Sequence, residues 1–230
     1  MRQVRGLPGI QPVEGSWLRW DEAYGAQMAR REALLRDPHA DVVYLEERAR
    51  PAAEELLAAA LTEAGFEIND GYAQRPDGVW VEIERSDPMG TLGRLFQCDF
   101  VIMDRHEGFD EHLLVGAVLC FPASWRLSEK AGRPLTQIHG PVTEYDASVA
   151  KRVQRLFDGV QVGRPLWRFN GLWYHDPELF QPRSRNTPLG RRAREAPFYR
   201  SERQTILRLP CTRACVFVIH TYILRAEDAF

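Results

Sequence analysis

The stretch FQCDFVIMDRHEGFDEHLLVGAVLCF, Phe96 to Phe121, decides how the rest of the chain must be arranged. Two apolar runs, Phe96–Asp104 and His112–Phe121, flank the polar segment HEGFDE. Runs of this length joined by a polar turn predict an antiparallel hairpin of two buried strands. Upstream, Val79, Val81 and Ile83 alternate with Trp80, Glu82 and Glu84, which predicts a half-buried strand. Downstream, Leu166–Tyr174, Arg203–Leu209 and Cys215–Leu224 are further strand candidates.

Helical spacing appears elsewhere. Trp20, Tyr24, Met28, Leu34 and Leu35 predict a helix within Trp17–Asp37, ended by Asp37-Pro38. A second is expected from Pro51 to Ala64, with proline in its first turn and Gly65 past its end. A third is expected over Asp146–Asp158, with Val149, Val153, Leu156 and Phe157 on one face and Gly159 as its stop. Strands joined by hairpins, with helices before and between them, predict an α+β fold: an antiparallel sheet of five to six strands with flanking helices. We expect a single domain, in which a helical segment, residues 1–69, packs on a sheet core, residues 70–230. The segment Asn186–Tyr199 is expected to be a surface loop.

Bulk properties narrow the function. A length of 230 residues suits one large domain. The net charge of −2 gives no excess of cations for an obligatory nucleic-acid partner. The longest apolar run, Leu113–Phe121, is far short of a membrane span. The N-terminus has no apolar signal-peptide core, so a cytoplasmic location is expected. Cys98, Cys120, Cys211 and Cys215 are too few and scattered for a disulfide framework. Cys211 and Cys215 make a single CxxxC without the second pair that a tetrahedral zinc site needs.

No GxGxxG, P-loop, GxSxG or HExxH is present, which directs attention to the six histidines. His106 and His112 bracket a turn with Asp104, Asp110 and Glu111; two histidines and a carboxylate can hold non-haem iron, but solvated hairpin polarity is the simpler reading. His39 follows Asp37-Pro38 in a loop and is expected at the surface, and His175 precedes Asp176-Pro177, which suggests a turn or helix start and a structural histidine. His220 shares a strand face with Val216, Val218 and Tyr222. His139 is set apart by Gly140-Pro141, where proline stiffens the backbone. Upstream, Ser124 is expected to cap a short helix stopped by Gly132, with Arg126 and Lys130 on one face and Arg133 just beyond. A stiffly held imidazole near several cations is one way to bind haem, with an axial nitrogen for iron and charged partners for the propionates. A structural histidine beside a surface helix is the other.

Ordered blocks then bring a resemblance into view: WLRWDEAYGAQMARREALL, LGRLFQCDFVIM, VLCFPASWRLSEKAGRPLTQIHGPV, VQRLFDGVQVGRPLWRFN and RSERQTILRLPCTRACVFVIHTY. Together they resemble the haem-dependent oxidative N-demethylase alpha-subunit-like family over nearly the whole chain. The resemblance implies a PAS-type fold carrying non-covalent haem b. It implies oxygen-dependent demethylation of a small secondary amine such as dimethylamine, with electrons from a separate NADPH-linked flavin and iron–sulfur reductase. Carried over by position, His139 becomes the axial ligand, with His220 as the alternative. Arg126, Lys130 and Arg133 become propionate partners. Arg168, Asn170, Glu202, Arg203 and Gln204 become the polar groups of the reaction pocket. A non-catalytic haem-binding sensor or interaction module of the same fold is the alternative function. Three positions depart from the family pattern: Cys98 replaces an acidic residue, Gly171 a tryptophan, and His220 an arginine.

Overall fold

The computed structural model describes residues 9–106, 108–139, 147–183 and 196–229. The N-terminal part contains strand β1 (Gln11–Pro12), helix α1 (Tyr24–Arg36), strand β2 (Val43–Leu45) and helix α2 (Arg50–Ala64). Three short strands follow, β3 (Ile68–Asn69), β4 (Tyr72–Gln74) and β5 (Trp80–Glu82), and then helix α3 (Pro88–Leu95). The hairpin read from Phe96–Phe121 is β6 (Asp99–Arg105) and β7 (His112–Val118). Helices α4 (Leu135–His139) and α5 (Ala147–Gly159) separate it from β8 (Leu166–Tyr174), β9 (Phe198–Arg208) and β10 (Cys215–Arg225).

The main sheet has seven antiparallel strands in the order β1-β8-β9-β10-β6-β7-β2. A second sheet holds β3-β4-β5. The expectation of five to six strands is therefore corrected. Strands β1 and β2 are only two and three residues long and are defined by pairing with the sheet edges rather than by alternation of their own. The Val79–Glu84 alternation is real, yet only Trp80–Glu82 pairs, and it does so in the small sheet. Helix α3 was not anticipated from sequence. Asp87 caps it, its Oδ1 accepting from the Gly90 amide at 2.9 Å, and Pro88 begins it. Helix α1 starts at Tyr24, later than expected, because the Asp21 carboxylate accepts the Ala23 amide and holds the preceding residues in a turn. Helix α2 ends as read, with Gly65 left-handed at φ 64°.

Each sheet face has its own cover. Leu34, Leu56, Ala60, Leu92 and Leu95 of α1–α3 pack on Phe100, Ile102, Val216 and Val218. Leu135 and Ile138 of α4, and Phe157 of α5, pack on Val101, Met103, Ile206 and Ile219 from the opposite side. Strand period two thus assigns every residue of β9 and β10 to one layer or the other. No helix among the described residues is long and apolar enough to cross a membrane.

One charged contact joins these parts. Arg31 of α1 donates from Nη1 to Asp99 Oδ1 at 2.6 Å, with both side chains essentially inaccessible. The same carboxylate accepts the amides of Cys120 and Phe121 at 2.8 Å, and Arg31 Nε donates to the Gly93 carbonyl of α3. Helix α1, helix α3, the start of β6 and the turn after β7 therefore meet at one ion pair. Replacing Arg31 by Met leaves a buried carboxylate without its cation. Urea unfolding should show a loss of about 3–5 kcal/mol, far more than a surface Arg→Met change.

Candidate functional site

Strand alternation puts a polar row on the sheet side covered by α4 and α5. Along β9, Arg200, Glu202 and Gln204 share a face with Ile206, which packs with α4 and α5. Across the ladder, Glu202 lies directly opposite Asn170 of β8 and Thr221 of β10, and Gln204 opposite Arg168 and Ile219. The side chains make one continuous chain. Arg168 Nε donates to Gln204 Oε1 at 2.9 Å, Gln204 Nε2 donates to Glu202 Oε2 at 3.1 Å, and Arg200 Nε donates to Glu202 Oε1 at 3.3 Å.

Arg200 is 2% exposed and is itself held, donating to the carbonyls of Phe121 and Leu179. Glu202 and Gln204 are also buried. Burial lowers the pKa of the Arg168 guanidinium, against the opposing field of Glu202. Among the described residues no carboxylate is paired with Arg168 directly. The Thr221 hydroxyl is buried on this side without a hydrogen-bond partner. A sheltered carboxylate, a partly unused guanidinium and an orphaned hydroxyl on one wall form a polar lining able to take a small charged ligand.

Helix α4, which ends at His139, lies on this same side, with Leu135 and Ile138 in its core. The His139 side chain and the Gly140–Asp146 segment lie outside the described residues. Residues 124–132 form a run of turns instead of the expected short helix. The Leu127 carbonyl accepts from both Lys130 and Ala131, and Gly132 closes the run at φ 68°. Arg126 and Arg133 are exposed, and Lys130 Nζ sits 4.4 Å from the Trp125 ring centroid. This segment reaches the same layer through Leu127 and Trp125.

The other sequence-derived residues fall elsewhere. Arg203 points to the opposite face. Its guanidinium lies over the Trp167 ring at 5.1 Å and donates to the Trp17 carbonyl and Thr205 Oγ1. His220 is on that face too, 1% exposed, and both ring nitrogens are engaged. Nε2 lies 2.9 Å from Asp21 Oδ2, and Nδ1 lies 3.7 Å from Cys98 Sγ. Burial pushes the Cys98 thiol up to about 11, so it stays protonated; its S–H donates to the Arg19 carbonyl at 3.5 Å beside His220 Nδ1, and His220 Nε2 faces Asp21. At Asp21 burial would raise the pKa, but hydrogen bonds from Gln97 and His220 outweigh it and the net shift is downward.

Residues 98 and 220, two of the positions singled out by the resemblance, touch. The third has a local cause. A Cβ at Gly171 would lie 1.9 Å from the Tyr199 hydroxyl, so Tyr199 occupies the space where a side chain at 171 would begin. His112 is also buried, with Nδ1 2.9 Å from Gln154 Nε2, His39 is exposed as expected, and His175 is exposed too. Among the described residues no group of three or more His, Cys, Asp or Glu side chains is placed to hold a metal ion. Sequence reasoning missed Arg200, Asp21 and Thr221. Only Arg200 had a readable signal, since it continues the alternation of Glu202 and Gln204.

Burial lowers the pKa of both His112 and His220 below 6.5, against the opposing pull of Asp158 and Asp21. The unfolded chain therefore takes up protons first as pH falls. Their contribution to stability is full above about pH 6.5 and is lost below it. Urea midpoints should drop between about pH 7 and about pH 5, and His220→Asn should flatten that slope.

The sequence model of a family described as haem-dependent oxidative N-demethylase, alpha subunit-like matches residues 9–229. The match takes in every element of the main sheet and both layers that cover it. The chain belongs to that family.

Proposed function

We propose, from that membership, that this protein is the haem-binding oxygenase component of an oxidative N-demethylase acting on a small secondary amine. Five antiparallel strands with helices inserted between the second and third of them, lying over one face, support a PAS-type arrangement for β6–β10. The observation that carries the functional reading is the Arg168–Gln204–Glu202–Arg200 chain, buried except at Arg168, on the same side as the helix ending in His139.

These residues suit the group that the family name implies. In this reading His139 ligates the iron of a non-covalent haem b. The turn cations Arg126, Lys130 and Arg133, joined by Arg168 from the sheet, pair with its propionates. When bound, the haem supplies the iron chemistry by which oxygen oxidises an N-methyl carbon, leaving the shortened amine and formaldehyde. Electrons come from a separate NADPH-linked flavin and iron–sulfur reductase.

The chain's own side chains handle the substrate. An aliphatic amine has a pKa near lysine's, about 10.4, so it arrives as a cation. Glu202 is the buried carboxylate able to receive it. Its two oxygens each accept one bond from Arg200 or Gln204, which leaves lone pairs on both for an ammonium N–H. Arg200 fixes the carboxylate's position. Asn170 and Thr221, directly opposite Glu202 on its two neighbouring strands, complete the polar lining. The apolar layer of α4 and α5 beside this row excludes water from the amine.

Purified after growth with iron and a haem precursor, the protein should show a Soret band. His139→Ala should abolish or shift it, and His220→Ala should leave it unchanged. A parent protein that takes up no hemin would overturn the proposal. In the haem-loaded protein with a competent reductase, Glu202→Gln should keep the spectrum. It should lower kcat/KM for dimethylamine by about 10- to 100-fold, the loss of one charge-assisted hydrogen bond of about 1.5–3 kcal/mol.

A further inference from the structure

The small sheet β3-β4-β5 carries an unusual surface. Ile68, Tyr72, Val79 and Trp80 are 53%, 42%, 44% and 41% exposed, and they belong to one thirteen-residue stretch. Large apolar side chains at that exposure are few elsewhere among the described residues, and clustering of this kind marks contact surfaces. Alternation turns Tyr72 and Trp80 outward, whereas Ile68, paired with Ala73, and Val79, at the parity of Val81, border the inward layer. Ala73 and Val81 turn inward to the core. Tyr72 lies directly opposite Glu82 and Asn69, and Trp80 opposite Gln74, on the outward face.

The charge on this face has one sign. Glu67, Asp70 and Glu82 are exposed and have no cationic partner among the described residues. Arg75, the cation within these strands, is turned inward, where it bonds Asp77, Glu32 and the Arg94 carbonyl. Arg85 is exposed but stands beyond the sheet. A purely apolar partner would strand these carboxylates without water or counter-ions, at a cost. Nucleic acid and anionic membranes would be repelled. A guanidinium or ammonium group satisfies both features at once, stacking on Tyr72 or Trp80 while bonding the carboxylates beside them.

We propose that the outward face of β3–β5 is a docking site for a polypeptide presenting clustered arginine or lysine side chains. The site is remote in sequence from the polar row on β8–β10 and does not depend on the haem reading.

Labelled octa-arginine, titrated with the full-length protein at low salt and followed by fluorescence anisotropy, tests this. Saturable binding is expected, lost at high salt, with none for octa-glutamate. Tyr72→Ala and Trp80→Ala should each weaken it about tenfold, the loss of a cation–π contact. The conservative pair Glu67→Gln with Glu82→Gln should do the same without touching the aromatic surface. The control pair Glu227→Gln with Asp228→Asn, at the far end of the chain, should change nothing. Equal affinity across all variants overturns the proposal, as does absence of binding by the parent. A salt-independent dimer in sedimentation that Trp80→Ala dissociates would assign the face to a second copy instead.

Discussion

Arg31 and Asp99 set the geometry from which everything else follows. The pair is dry, so its charges interact far more strongly than at the surface, and neither is tolerated without the other. Asp99 also accepts two amides at the end of the β7 strand, while Arg31 reaches the last turn of α3. Moving α1, α3 or the hairpin alone would strand one of these groups. The next residue, Phe121, gives its carbonyl to Arg200, and Arg200 holds Glu202. The ion pair and the candidate site are thus three bonds apart along one path.

That path explains why the two faces of the sheet differ. The α1–α3 side is a hydrophobic core closed at one end by an Asp21–His220–Cys98 contact, with Gln27 Oε1 and Arg31 Nη2 of α1 buried there without a hydrogen-bond partner. The α4–α5 side ends in a polar row whose members are not all satisfied: Thr221 lacks a partner and Arg168 has none of opposite charge among the described residues. On this wall the unpartnered Thr221 hydroxyl and the Arg168 guanidinium lie together, and a polar ligand would satisfy both. The Cys98–His220 contact falls on the α1–α3 side. It does not touch the polar row.

Much of the frame was legible because it has strong period. Strand β8 has the bounds read from alternation, β10 differs by one residue, and α2 and α5 follow from capping and Gly stops. Elements defined by partners were not legible. Strands β1 and β2 have too few residues to show a rhythm, and α3 contains two glycines that hide its helical pattern. In the site, Glu202, Gln204, Arg168 and Asn170 came from the family resemblance and do meet on one face. Arg203 came with them but stands at odd parity to Glu202, so a strand must send it the other way. Arg200 escaped because β9 was expected to begin at Arg203, five residues after its true start at Phe198. The turns around Arg126 looked helical by spacing alone, since nothing local reveals that Gly132 and Arg133 are tied to β7 by backbone bonds.

The central claim is that a porphyrin is held between β8–β10 and the layer of α4 and α5, with iron on His139. A crystal structure of the haem-loaded protein tests it most directly. The account predicts macrocycle density on that side of the sheet, an Fe–Nε2 bond to His139, and Arg168 within bonding distance of a propionate. Density on the α1–α3 side, or iron bound by His220 with its Asp21 contact broken, would contradict it.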